Sequence, residues 1–358
     1  MKKICFVFNH LQFSDGVARA AIGISNYLAE HENVQVTLRP LFYYEKGINT
    51  TISDKVVVKP LFGFYFKGLA KILEVLPSQI LHWMIFRGTY DIEVGFQYGV
   101  SIKALSDIPK KGVIRYAWIH GYDEKLKYLK YYQKVDKVIC VSKCNSERLY
   151  KESNKTVISD YCYNLIDDNK IRQLGARAVE EEPNRNRVTF VTVGRLSPEK
   201  GYGRLLECVA RLKDDYSLGL WIIGDGPERD ELIKEANLLN INDNVVFLGA
   251  KENPHEYTSK ADVFVCSSFS EGYSTACTEA IILGIPVITT NVSGAEEIIE
   301  QANAGLITEI DTDSLLAGMK HILDNPSIIN DWKKILEKTK YNFSLETRKR
   351  KIDSLFLQ

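Results

Sequence analysis

The sequence lacks any apolar run approaching the roughly 20 residues of a membrane-spanning helix, so none is expected. Its opening residues, Met1-Lys2-Lys3-Ile4-Cys5-Phe6-Val7-Phe8-Asn9, carry two lysines before a brief apolar stretch. That stretch is too short for a signal-peptide core and reads as a first buried strand. Paired cysteines are also missing. The seven cysteines (Cys5, Cys140, Cys144, Cys162, Cys208, Cys266, Cys277) are odd in number and scattered. No Cys-x-x-Cys pair or Cys/His cluster has zinc spacing. Free thiols in a reducing, cytoplasmic setting are the expectation. Net charge is absent too, with 46 Lys+Arg against 46 Asp+Glu.

That zero hides an asymmetry. Residues 1–180 hold 26 basic against 18 acidic side chains, and residues 181–358 hold 20 against 28. Opposite signs predict two domains, the first facing something anionic such as a membrane surface. Uneven solvated faces would give the same imbalance. The length of 358 residues suits two domains, and 45% hydrophobic with 26% charged residues is an ordinary globular composition. Disorder, collagen-like repeats and a disulfide-stapled miniprotein are excluded.

Strand-like and helix-like runs alternate throughout. Strands are expected at 4–8, 34–38, 55–59, 91–96, 113–120 and 137–142. A second series follows at 188–193, 218–223, 245–248, 263–266, 287–290 and 305–307. Repeated β-α-β means an α/β protein with parallel sheets covered on both faces. Residues 178–187 are charged, contain a proline and show no period, so they read as a linker. Two doubly wound domains follow, and ligands bind such sheets beyond the carboxyl ends of the strands. The aromatic run 61–86 contains Lys67, Lys71 and His82, and Arg87 follows it. It reads either as a core helix pair or as a surface for a lipid-linked molecule.

The strand-end loops carry the chemistry. Ser14-Asp15-Gly16-Val17 opens a helix whose bare N–H groups could approach a phosphate; a tight turn explains it equally well. Gly194-Arg195-Leu196-Ser197-Pro198-Glu199-Lys200-Gly201 ends in the wrong order for a Walker loop, yet its guanidinium and ammonium bracket a turn suited to a diphosphate. A solvated loop is the other reading. Gly224-Asp225-Gly226 is a poor dinucleotide fingerprint, because Arg229 occupies the third glycine position. Within Ser268-Phe269-Ser270-Glu271-Gly272-Tyr273-Ser274-Thr275 through Glu279, a loop glutamate and a helix glutamate stand eight apart. Both could face one pocket, accepting hydrogen bonds from sugar hydroxyls while the helix start between them binds a phosphate. Two surface glutamates flanking a helix would give the same spacing.

Together these segments resemble a known family. Gly194-Arg195 with Lys200-Gly201, Ile223 to Pro227, Val246 to Gly249, Ala261-Asp262-Val263-Phe264, Glu271 to Ala280, Gly284-x-Pro286-Val287 and Ser293 to Glu297 follow in order. The second half resembles the nucleotide-sugar domain of the family-4-type retaining glycosyltransferases of the GT-B fold, the glycosyl transferases of group 1. The first half fits through Gly16, Trp118-Ile119-His120-Gly121 and Tyr163-Asn164-Leu165-Ile166-Asp167.

The resemblance implies two Rossmann-like doubly wound domains facing a central cleft. Their expected bounds are 1–178 on the acceptor side and 188–340 for the nucleotide sugar, with a terminal helix at 341–358 packing back on the first. It implies that Arg195 and Lys200 hold the donor phosphates, Glu279 the ribose and Glu271 the transferred hexose, with Gly272, Tyr273, Ser274 and Thr275 nearby. Ala250 and Lys251 would frame the base, and Gly226 would lie in the donor site. Gly16 would close on the diphosphate and His120 would sit beside the donor sugar. Asp15 replaces a glycine common in the family; it could crowd the diphosphate or touch the acceptor. The implied activity is retaining transfer of a hexose-type sugar from a UDP-sugar to a saccharide or lipid-linked saccharide, in bacterial surface polysaccharide synthesis. It requires no metal and no cofactor. The implied setting is cytoplasmic, at the inner face of the membrane, and nucleic acid is no partner. A nucleotide-sugar epimerase of the same fold and an inactive sugar-nucleotide-binding partner are the alternatives. Asp311-Thr312-Asp313 looks like a metal-binding Asp-x-Asp, but Asp313 reads more simply as the N-cap of the helix that follows.

Overall fold

The computed structural model describes residues 1–12, 16–108, 112–121, 126–179 and 188–358. Asp15 and most of the expected linker lie outside the described residues. The chain forms two units, Met1–Leu165 joined by Arg348–Gln358, and Ile166–Thr347.

The first unit is built on a seven-stranded parallel sheet. Its strands are β1 (Lys2–Leu11), β2 (Val34–Tyr44), β3 (Val57–Val58), β4 (Ile92–Gly95), β5 (Ile114–Ile119), β6 (Lys137–Cys140) and β7 (Ser159–Tyr161), in the order β3-β2-β1-β4-β5-β6-β7. β1 is central, aligning Ile4 with Val36 of β2 and Ile92 of β4. Its residues 4–8 are wholly buried. Helices on both faces of a parallel sheet explain why this strand is an unbroken apolar run.

The second unit has six parallel strands: β8 (Val188–Val193), β9 (Leu218–Ile223), β10 (Val245–Gly249), β11 (Val263–Cys266), β12 (Val287–Thr290) and β13 (Gly305–Thr308). Their order is β10-β9-β8-β11-β12-β13. The chain therefore reverses its direction of travel across each sheet once, between β1 and β4 and between β8 and β11. The loops leaving the carboxyl ends of those strand pairs flank a crevice.

The division differs from the expected bounds. Residues 166–178, expected in the first domain, cluster with the second. The reason is the helix Asp168–Gly175, where Ser259 Oγ donates to the Gly175 carbonyl at 2.7 Å and Asn253 Nδ2 to that of Leu174 at 3.0 Å. A Cβ on Gly175 would fall 2.3 Å from the Leu283 side chain, so the helix sits tightly there. The returning segment also begins later than residue 341. Leu345 N–H donates to Asp168 Oδ1 at 2.9 Å within the second unit. From Arg348 onward the contacts are with the first: Lys351 Nζ with Asp160 at 2.6 Å, and the Tyr116 hydroxyl with the Leu355 carbonyl at 3.0 Å. The buried Phe356 ring packs 5.5 Å from Phe6.

Two smaller expectations change. Asp311, not Asp313, caps the helix Thr312–Asp324, its Oδ1 accepting from Ser314 N–H at 2.7 Å. Asp313 pairs instead with Arg211 at 2.7 Å. The aromatic run forms two short helices, Leu69–Val75 and Ser78–Ile85, that bury Leu69, Leu73, Leu81 and Ile85 against Cys5, Val7 and Leu41. Residues 63–67 ahead of them are exposed, so only part of the run is core.

Candidate functional site

The loops after β8 and β11 meet at the crossover point of the second sheet. Lys200 Nζ lies 2.7 Å from Glu271 Oε1, and Ser268 Oγ donates to the same oxygen at 2.7 Å. Cys266 Sγ approaches that oxygen at 4.0 Å. Lys200 is 27% and Glu271 14% exposed at the side chain, so the pair is shielded without being sealed. Burial works against the lysine's charge, but the Glu271 carboxylate outweighs it and holds the ammonium above its usual range. The result is a persistent cation beside a carboxylate whose three recorded contacts all fall on one oxygen.

Backbone packing holds these loops in place. Ser267 Oγ donates to the Lys200 carbonyl at 2.9 Å, Phe269 N–H to that of Glu199 at 2.8 Å, and Thr290 Oγ1 to that of Ser268 at 2.6 Å. Gly201 turns the chain at φ +64° into the helix Tyr202–Leu212, and a Cβ there would strike the Ser267 carbonyl at 2.4 Å. Ser274 caps the helix Thr275–Ile282 by accepting from Cys277 N–H at 3.3 Å. Two helix N-termini therefore open at the ends of adjacent central strands. Such ends carry unsatisfied N–H groups and partial positive charge, an arrangement suited to an anion.

Not every expected residue joins this pair. Arg195, two residues past β8, is exposed. Glu279 lies on the helix as expected but faces His255, with Oε2 4.0 Å from Nδ1. Burial, aided by Lys170, holds His255 below its usual range, so the ring beside Glu279 is neutral near pH 7. Gly226 has a packing role: a Cβ there would meet the Leu196 carbonyl at 2.3 Å. The Tyr273 ring is buried against Gly294, and the Ser274 hydroxyl is taken up as the helix cap. Ala250 and Lys251 are exposed just past β10, with the lysine ammonium 5.1 Å from the Tyr257 ring centre. Ser268 was missed by sequence reasoning, although a shielded carboxylate three residues away needs such a donor.

A larger groove lies beside the pair, lined by Arg204, Glu228, Glu231, Glu235 and Phe269. Burial and neighbouring carboxylates raise both Glu228 and Glu235. Three clustered acids make that groove a poor seat for a diphosphate.

The equivalent point of the first unit is differently furnished. Asn9 N–H donates to Gln97 Oε1 at 3.1 Å, joining the end of β1 to the loop after β4. Gly16 starts the helix Gly16–Ala29, and no atom of the described residues lies within 4 Å of where its Cβ would be. His120 follows β5 with its ring 4.7 Å from that of Phe96. Burial pulls this imidazole down to about 4 in spite of a hydrogen bond with the Phe96 backbone. Its Nε2 is buried and has no hydrogen-bond partner among the described residues.

Residues 177–339 match the family model described as glycosyl transferases group 1. The chain is 32% identical over 207 residues to an N-acetylgalactosamine-N,N'-diacetylbacillosaminyl-diphospho-undecaprenol 4-alpha-N-acetylgalactosaminyltransferase of Campylobacter jejuni. That alignment takes in 56% of this chain and 54% of the relative, so it spans about half of that protein's length. The chain is 28% identical over 322 residues to the lipopolysaccharide core biosynthesis glycosyltransferase LpsE of Rhizobium meliloti, covering 89% and 88% of the two. Its fold is similar to that of Anabaena HepE, solved in complex with UDP, with a TM-score of 0.74 at 17% identity over 99% of each chain.

Proposed function

We propose that this chain, which has the GT-B fold and matches the group 1 glycosyl transferase model over residues 177–339, transfers a hexose-type sugar from a nucleoside-diphosphate sugar, UDP-linked, to a saccharide or lipid-linked saccharide with retention of configuration. The observation that carries this reading is the Lys200–Glu271 contact between two helix starts. It sets a persistent cation and a hydroxyl acceptor side by side at an anion-binding crevice.

In this mechanism Lys200 and Arg195, with the amides at the start of the Thr275–Ile282 helix, neutralise the diphosphate as it leaves. Glu271 keeps Lys200 charged through one oxygen and takes a sugar hydroxyl on the other. Glu279 accepts the ribose hydroxyls, and the neutral His255 beside it imposes no competing charge. The acceptor oxygen bonds to the anomeric carbon on the face from which the diphosphate departs. The carbon–oxygen bond to phosphate breaks, and the acceptor's proton passes to a diphosphate oxygen. Fixed positive groups do the work that a metal would otherwise do. Roles for Gly16 and His120 rest on the resemblance alone.

The test is a thermal-shift series with UDP-, GDP- and ADP-sugars, with and without EDTA. Binding to the native state raises the melting temperature by mass action. A shift with a UDP-sugar that survives EDTA and is lost in Glu279→Ala supports the reading. A transfer product whose proton NMR coupling gives the opposite anomer overturns retention. Full transfer by Glu271→Ala would sink the site assignment.

A further inference from the structure

We propose that Cys266 and Cys277, which meet beside the Lys200–Glu271 contact, are a thiol pair that peroxide closes into a disulfide, switching the crevice off. Cys266 is the last residue of β11, and Cys277 lies in the first turn of the helix Thr275–Ile282. The loop that joins them carries Ser268 and Glu271. Cys266 Sγ lies 3.5 Å from Ser268 Oγ and 4.0 Å from Glu271 Oε1, and it accepts a hydrogen bond from the Cys277 thiol. Both cysteines are buried, Cys277 wholly and Cys266 with 6% of its surface exposed. A cavity of about 20 Å³, lined by Lys200, Cys266, Ser268, Glu271 and Ser274 among others, lies against Cys266. It has room for one molecule of water's size, and hydrogen peroxide is little larger.

The other buried thiols lack this setting. Burial pushes Cys5, Cys140, Cys162 and Cys208 well above the usual thiol range. The hydrogen bond from Cys277 pulls Cys266 down to about 6 in spite of burial and the Glu271 carboxylate, and the same bond raises Cys277. Cys266 is therefore the thiolate that reacts, and Cys277 is the thiol that resolves. Cys266 Sγ attacks one peroxide oxygen, the O–O bond breaks, and hydroxide leaves as water with the proton that the thiol released. Cys277 Sγ then attacks the sulfenic sulfur, the S–O bond breaks, and a second water leaves with the Cys277 proton. Two thiols are oxidised, and one peroxide is reduced to two waters. A disulfide needs its sulfurs about 2 Å apart, so Cys266 Sγ must draw away from Ser268 and Glu271, and the loop they share must shift. The consequence for transfer rests on the donor reading proposed above; the bond itself does not.

Stepwise addition of hydrogen peroxide to the full chain, read by mass spectrometry and transfer rate, tests it. The tryptic peptide 261–320 holds both thiols and no other cysteine. It should become two hydrogens lighter while the transfer rate falls about 10²-fold, and dithiothreitol should reverse both. Cys277→Ser should transfer at the wild-type rate when reduced. Peroxide should then carry its Cys266 to sulfinic acid, with a loss of transfer that dithiothreitol does not reverse. Cys277→Ala gives the same reading if the serine variant does not fold. A peptide left unchanged by peroxide that oxidises the exposed Cys144 would overturn the proposal. So would a lighter peptide with undiminished transfer, or a reversible loss that persists in Cys277→Ser. Reduced protein without a UDP-sugar melting shift would sink the donor reading instead, and the peptide mass would still decide the thiol pair.

Discussion

The two units start from the same plan and spend it differently. Each is a parallel sheet in which the first strand lies beside the fourth, so each has a crossover crevice. In the second unit glycines lock the crevice loops together. Gly224, at φ +145°, leaves no room for a Cβ, which would fall 1.8 Å from the Gly194 carbonyl oxygen, and Gly201 and Gly226 are similarly confined. In the first unit no atom of the described residues lies within 4 Å of where a Cβ on Gly16 would stand, while one on Gly95, at the end of β4, would meet the Ser101 backbone at 3.0 Å. The charges also divide, 27 basic against 16 acidic residues (+11) in the first unit and 19 against 30 (−11) in the second. Yet the acidic unit holds its shielded cation, Lys200, at the crevice. The net sign of a domain thus does not set the charge of its crevice, which answers to local pairs.

The largest expected effect tests the locking. Gly224→Ala should destabilise the second unit by about 4 kcal/mol or more, through strain at positive φ and the carbonyl clash. Gly16→Ala should cost less than about 0.5 kcal/mol. Thermal unfolding of both would break the comparison if the two losses were alike. Next is the cation: Lys200→Met should lower the transfer rate by about 10²- to 10³-fold with little change in the melting temperature of the free protein. Steady-state kinetics beside calorimetry would separate the two.

The third concerns the first unit's buried imidazole. His120 is held at about 4 against an ordinary 6.5, so between those values the unfolded chain binds more protons than the native one. Its contribution is complete above pH 6.5 and is lost as the pH falls toward 4, by up to about 3 kcal/mol. His120→Asn should flatten that part of the stability–pH curve; an unchanged slope would mean the ring is not a source of the acid sensitivity. The smallest effect is expected at Asp160, which pairs with Lys351 at 2.6 Å and Lys137 at 3.4 Å. Asp160→Asn should cost about 1 kcal/mol in urea unfolding, since the carboxylate is partly solvated.

The strands were legible wherever both faces are covered. Residues 188–193, 218–223, 263–266 and 287–290 are continuous apolar or β-branched runs, and the observed strands coincide with them. β7 escaped because Ser159-Asp160-Tyr161 lies at a sheet edge and has no apolar run to betray it. Loop positions of the candidate site were readable from glycines and from residue type. The pairing of Lys200 with Glu271 was not, because 71 residues separate them and only the adjacency of β8 and β11 brings them together. The eight-residue spacing of Glu271 and Glu279 suggested a shared pocket. In the structure Glu279 Oε2 lies 4.0 Å from His255 Nδ1. The boundary near 166 was hidden because the amphipathic helix Asp168–Gly175 does not announce which sheet it will cover.

The division of the chain has a consequence for its synthesis. The second unit is one continuous stretch, whereas the first is interrupted by it and completed only by residues 348–358. On the ribosome, the inserted unit can close as soon as its last strand and helices emerge. The earlier-made sheet must wait, with the site that Phe356 will fill between Phe6 and Trp118 still open. The half made first is therefore finished last, and during that interval its unfilled apolar seam is what a chaperone would meet.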